Sequence, residues 1–299
     1  MRRTRTIIQA LIGATVIAGG MAALTPAAWA DTIPVACSEN ALVAAITLAN
    51  STPAADTLVL AGGCTYTLTS AHGGPTNGLP LITTPIEMIG PATITRTSGS
   101  FRIAEVSPTG NLTLTTGVKL TNGSAAGDGG AILNHGAVTL TNSSLSDNTA
   151  TGNGGGLSNA DTPSGTAPAA TFTRSPVSNN TAGSNGGGIY NGTRGTLTTT
   201  GTSGSPLIIT GNTVTGSTLL GLLGTGGRGG GIAAVGSTAT TLTQTAVTVN
   251  HAGGLLGLGG TAGGVYRQGG TMTTTSSPIT ANTPNNCVGS SPAVPTCTG

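Results

Sequence analysis

Aromatic residues make up only 2% of this 299-residue chain and charged residues only 6%. Without large rings, a core has to be assembled from small aliphatic side chains at close spacing. That favours thin stacked layers over a thick two-layer domain. The scarcity of charge does not signal disorder, because 36% of the residues are hydrophobic. Gly (51) and Pro (16) together also stay below the roughly 25–30% at which low complexity becomes the default reading. The thiols do not suggest metal: there are four cysteines with no CxxC, and His72, His135 and His251 lack ligand spacing.

Residues 1–30 read as a separate object. Arg2, Arg3 and Arg5 precede an apolar stretch from Ile7 to Leu24, and Ala28-Trp29-Ala30 supplies a small-x-small cleavage pattern. Cleavage after Ala30 is expected, giving a secreted or cell-surface protein with no transmembrane segment once the leader is gone. Three of the ten basic residues lie in the leader and all eight acids lie beyond it. Seven basic residues then face eight acids. The balance gives no support for binding nucleic acid. An even number of cysteines in an exported chain reads as disulfides. Four cysteines allow three connectivities; the local pairs Cys37 with Cys64 and Cys287 with Cys297 are favoured because each ties down a terminal segment.

What the chain does have is an internal repeat. A glycine cluster followed by an aliphatic recurs at Ile132, Leu157, Ile189, Ile232 and Val265. A second anchor, an aliphatic three residues before Asn, recurs as Leu145 with Asn148, Val177 with Asn180, Ile209 with Asn212, Val247 with Asn250 and Ile279 with Asn282. Leu120 with Gly123 is a degenerate earlier copy. From the Asn-type to the glycine-type aliphatic the step is 12 residues in three copies and 23 and 18 in the last two, so the excess marks loops. A third apolar position falls at Leu140, Phe172, Leu197, Leu242 and Met272, which implies three faces per turn. Small apolar residues alternate with Thr around these anchors, the period of two of a strand. Units this thin must stack, and parallel crossovers are right-handed. The expected fold is all-β: a single right-handed parallel β-helix, with the Asn column forming a ladder along its axis.

Ser38 to Asn50 breaks the pattern: Leu42, Val43 and Ile46 sit at helical spacing behind a Ser38 N-cap. The reading is a leader at 1–30, a cap helix and first strands at 31–70, a β-helix at 71–282 and a Cys- and Pro-containing tail at 283–299. Helix and tail would each cover an open end of the solenoid.

Gly129-Gly130-Ala131-Ile132 and the aliphatic-x-x-Asn repeats resemble the GGAI and FxxN repeats of polymorphic outer-membrane proteins, with Phe replaced by Leu, Val or Ile. The helix region Ala41 to Asn50, Cys64-Thr65-Tyr66-Thr67-Leu68-Thr69 and Asn282-Thr283-Pro284-Asn285-Asn286-Cys287 are similar to exported actinobacterial β-helix proteins of the pectin-lyase-like superfamily. That resemblance implies the fold strongly and an activity weakly, since the superfamily holds lyases, hydrolases and proteins without a known reaction.

No catalytic residue is assigned. Hydrolysis of a polysaccharide needs two carboxylates about 5–9.5 Å apart. The columns through Asp128 (Asn153, Asn185, Arg228, Thr261) and Asp147 hold no second acid. Lyase chemistry would need a carboxylate cluster for Ca²⁺, and none is visible. No cofactor or metal is implied. The chain reads as a non-catalytic structural, adhesive or glycan-binding protein, with a polysaccharide lyase or glycoside hydrolase as the alternative. Tyr190 and Tyr266 follow the glycine-type aliphatic by one residue and should point outward from one face; with Arg267 they are the candidate ligand-binding residues. Leu219, Leu220, Leu222, Leu223, Leu255, Leu256 and Leu258, in two Leu-Gly insertions of consecutive coils, are a candidate patch for a partner such as a surface protein.

Overall fold

The computed structural model describes residues 29–160, 166–216, 226–254 and 259–299. The leader up to residue 28 and the seven leucines of the two Leu-Gly insertions lie outside the described residues. Every strand pairing between named strands is parallel and in register, and successive coils of the chain stack into a parallel β-helix. A representative coil runs through Ala137–Thr141, Ser144–Ser146, Thr149–Ala150 and Leu157–Asn159 before entering the next coil at Ala169–Thr173. These strands belong to sheets of nine, eight, five and six strands respectively.

The coil therefore has four sides where three were expected. The additional side is a strand of two residues whose inward member is small: Ala125, Ala150, Ala182, Val214 and Ala252 form its row. Alanine does not stand out as an apolar anchor, so only the three bulkier rows are conspicuous in the sequence. Two of those rows pair as the repeat predicts. Ala104, Ile132, Leu157, Ile189, Ile232 and Val265 stack on the six-stranded sheet. Tyr66, Ile94, Leu120, Leu145, Val177, Ile209, Val247 and Ile279 stack on the eight-stranded sheet, so this row reaches two coils further back than the Asn motif.

The third row is corrected. Leu140 pairs with Phe172, then Thr199 and Leu242, whereas Leu197 and Met272 belong with Val138, Ala170 and Thr240. Positions two apart on a strand face the same way, so the nine-stranded sheet sends two residues per coil inward. Where Thr takes one inward place, an aliphatic takes the other: Leu197 with Thr199, Leu242 with Thr240. The buried hydroxyls are bonded, Thr199 Oγ1 to Thr245 Oγ1 at 2.8 Å, and Thr240 Oγ1 accepting from Asn191 Nδ2 at 2.9 Å.

Corners are set by residues that tolerate a left-handed backbone. At the corner before the six-stranded sheet, Gly129, Gly154, Gly186 and Gly229 have φ of 63–69°. A Cβ at any of them would lie 2.2–2.4 Å from the carbonyl oxygen of the aliphatic three residues on. Ala262 takes this place in the last coil at φ 54°.

The expected Asn ladder is present, with Asn148, Asn180, Asn212, Asn250 and Asn282 buried one above another. Each donates through its backbone N–H and Nδ2 to Oδ1 of the next, at 2.9–3.0 Å. The column ends on Asn286 Oδ1.

Both ends are closed. The helix Glu39–Ala49 is capped by Ser38, whose Oγ accepts from Ala41 N at 3.2 Å, and it buries Leu42, Ala45, Ile46 and Ala49 over the first coils. Val43 is only half-buried. Burial acts to raise the pKa of Glu39, but hydrogen bonds from Thr69 Oγ1, His72 and the backbone N–H groups of Thr69 and Ser70 outweigh it and hold the carboxyl at about 2. The two local disulfides are formed, Cys37–Cys64 and Cys287–Cys297, and Val294 of the tail is buried against the core. Among the described residues no helix is long and apolar enough to cross a membrane.

Candidate functional site

The glycine corner brings two surface rows together. One is the row four residues before the inward aliphatic: Asp128, Asn153, Asn185, Arg228 and Thr261. Asn185, Arg228 and Thr261 are bridged as parallel neighbours. The other is the outer row of the six-stranded sheet: Glu105, Leu133, Ser158, Tyr190, Ala233 and Tyr266. Tyr190 and Tyr266 therefore do share a face, two coils apart, as the spacing predicts.

They are not equally available. Tyr266 is 7% exposed, packed with Ala233 and Ala262 and flanked by Tyr190 and Val235 in a small apolar cluster outside the main core. The Arg228 guanidinium lies over its ring, 5.3 Å from the centroid. Tyr190 is half-buried, and its phenol is pushed above the ordinary value by burial and then by the Asp128 charge. Ser158, one coil before Tyr190, is fully buried with no hydrogen-bond partner for its hydroxyl.

Along the corner row the polar groups are linked. Asp128 Oδ1 accepts from Asn153 N at 2.7 Å and from Asn153 Nδ2 at 3.2 Å, and Asn153 Oδ1 accepts from Asn185 Nδ2 at 2.9 Å. Two residues before Asn153 and Asn185 lie Thr151 and Gly183, which line a cleft of about 400 Å³ on the five-stranded sheet together with Thr149, Thr181, Thr215 and Gly216. Threonine hydroxyls, backbone groups and the Asp-Asn-Asn row thus adjoin along the axis.

At the N-terminal end of this face, Arg102 is buried and donates to Glu105 Oε2 at 3.2 Å, to Asp128 O at 3.1 Å and to Asn77 Oδ1. Burial lowers its pKa, while the charges of Glu105 and Asp128 pull the other way. Glu105 and Asp128 both act on this one guanidinium from successive coils, a juxtaposition that phasing the acids on the repeat missed. The stretch before Ala104 lacks the glycine pair that marks the phase elsewhere. Arg228 is in phase with Asp128, but in the sequence its column shows only that it holds no second acid.

Arg267 leaves the face. Its backbone N–H donates to Ser290 Oγ, and its guanidinium donates to the carbonyls of Gly269, Gly270 and Ala293, tying the tail to the last coil. It stands in the column of a second buried ladder, in which Asn134 Nδ2 donates to Asn159 Oδ1 at 2.7 Å and Asn159 Nδ2 to Asn191 Oδ1 at 2.8 Å. Ala234 and Arg267 continue that column without the amide. Among the described residues no three His, Cys, Asp or Glu side chains gather as metal ligands. No known family model, curated protein or solved structure matches the chain.

Proposed function

We propose that this is an exported, non-catalytic β-helix protein of the cell surface or medium that binds an extended polysaccharide along its axis. The observation that carries the reading is the Thr-lined cleft adjoining the Asp128-Asn153-Asn185 row, with the half-buried Tyr190 on the six-stranded sheet beyond the corner. Coils recur about every 4.8 Å, so the same hydroxyl and amide groups are offered repeatedly to a polymer of similar units. Hydroxyls and amides match sugar hydroxyls as donors and acceptors, and a tyrosine ring suits stacking on the flat face of a pyranose. Among the described residues that line it the cleft has no charged side chain, which favours a neutral polymer.

The test is retention of the exported protein on cell-wall preparations and a panel of polysaccharides, with Tyr190→Ala and Asn185→Ala as probes. Retention without turnover is expected, weakened about tenfold or more by Tyr190→Ala, the scale of one lost stacking contact. Release of reducing ends or unsaturated sugars would instead favour the polysaccharide lyase or hydrolase reading. Its one structural support is Glu105 and Asp128 meeting around Arg102. Both acids already serve local partners, Glu105 binding Asn77 and Arg102, and Asp128 binding Asn153.

A further inference from the structure

The first strand of the nine-stranded sheet, Thr32–Val35, pairs with Asp56–Leu60. Asp56 opens that second strand on its inward side. In register below it come Ile86, Leu112 and Val138, all in the core. A carboxylate thus occupies the head of an aliphatic row, and it is 3% exposed. Its one hydrogen bond is from Asp31 N to Oδ1, at 2.7 Å, and Asp31 O in turn accepts from Thr57 N at 2.8 Å.

Among the described residues no cation reaches Asp56. The ion pairs among the described residues are His72 with Glu39 and Arg102 with Glu105. The one other charged group among the described residues lining the cleft of about 200 Å³ beside Asp56 is the Glu87 carboxylate; Asn111, whose Oδ1 is buried without a partner, and the hydroxyls of Thr57 and Thr113 complete its polar lining. The capping helix carries one charged residue, Glu39, and that is occupied by Thr69, Ser70 and His72. The ionisable groups around Asp31 are therefore Asp56, Glu87 on the adjacent strand Pro85–Ile89 and its own carboxylate, all acidic. A buried carboxylate in such surroundings is costly unless a positive charge is supplied.

The residue that donates to it is the one expected to become the first of the mature chain. Trp29 is 81% exposed and Ala30 is exposed too, so the bond ahead of Asp31 is open to a peptidase. We propose that cleavage after Ala30 completes a part-buried ion pair between the new α-ammonium of the exposed Asp31 and the buried Asp56 carboxylate, so that leader removal itself locks the first coil. Hydrolysis consumes one water, leaves a carboxylate on Ala30 and frees an amine on Asp31 that takes up a proton at neutral pH. A bond whose acceptor alone is charged becomes one in which donor and acceptor are both ionised. The inference rests on the export reading.

The sign of the pH dependence follows. A free α-amino group titrates near 7.7–8.0, and the acidic surroundings raise that value in the folded state. While Asp56 is ionised, the stabilisation is fully present below about pH 7.7 and is lost as pH rises through the raised folded value. Intact mass and N-terminal sequencing of the exported protein come first: a start other than Asp31 overturns the export reading at this bond, and the ion pair with it. Given an Asp31 start, the α-amine, titrated by NMR in the otherwise unaltered protein, should have a pKa at least about one unit above 7.7–8.0, a tenfold shift in its protonation constant. The same protein should melt higher below pH 8 than a form retaining Trp29 and Ala30 or a form acetylated at the α-amine, and the gap should close at alkaline pH. Asp56→Asn should abolish the gap. An Asp31 amine that titrates at its ordinary value would overturn the proposal while leaving the export reading intact, and this readout does not depend on whether Asp56→Asn folds.

Discussion

The molecule carries two buried asparagine ladders, one at each end of the five- and six-stranded sides, and they differ in continuity. The ladder through Asn148, Asn180, Asn212, Asn250 and Asn282 is unbroken. The other runs Asn134, Asn159, Asn191 and then stops on Thr240 Oγ1, with Ala234 and Arg267 beyond it. In the long ladder each Oδ1 from Asn180 to Asn282 serves two donors of the previous coil, a side-chain amide and a backbone N–H. In the short one only the side-chain amide is served from the coil before. A backbone N–H that depends on a side-chain acceptor in the next coil is orphaned when that acceptor is removed, so a gap in the long column costs a main-chain hydrogen bond as well as a side-chain one. The short column can end wherever a hydroxyl takes the last hydrogen.

The sharpest way to break this comparison is to remove a middle rung. Asn212→Ala leaves Asn180 N and Nδ2 without their acceptor and should cost about 3 kcal/mol or more in urea unfolding. Asn191→Ala, which takes one acceptor from Asn159 Nδ2 but leaves its bond to Thr196 O and deprives no backbone N–H of the preceding coil, should cost about 1–2 kcal/mol. Equal losses would show that the backbone contact is not what distinguishes the columns. A smaller effect of opposite sign is expected just before the long ladder. The residue preceding each Asn is left-handed: Asp147, Asn179, Gly211, Val249 and Ala281. Val249 is β-branched, 62% exposed and held at φ 57°. Val249→Asn should raise stability by about 1 kcal/mol, seen as a higher urea midpoint with unchanged slope. The smallest effect is expected beside the short ladder, where Ser158→Ala removes a buried hydroxyl that has no partner. Thermal unfolding should show a gain of up to about 1 kcal/mol.

The elements that were legible in the sequence are those in which one residue type recurs at one place. The rows through Ile132 and Leu145 and the long Asn ladder need bulk or an amide in every coil, so their spacing survives insertions. The nine-stranded sheet was misphased at Leu197 and Met272 because a pleated strand makes positions two apart equivalent, and either can carry the large side chain. The fourth side escaped notice because alanine fills it. At the surface, the tyrosine face was readable from its offset to the glycine corner, but the burial of Tyr266 was not, since the Arg228 guanidinium that covers it comes from the preceding coil. Asp56 was invisible as anything but an isolated acid, because its significance lies in which strand it heads and what sits above it.

Consecutive rungs of the long ladder at Asn148, Asn180 and Asn212 are 32 residues apart, and each coil touches mainly the one before and the one after. Height is therefore an adjustable property: a whole storey could be taken out or duplicated between the two caps with the amide column rejoined across the cut. The reach of the surface would then lengthen or shorten in steps, independently of the ends that keep the column from growing by itself.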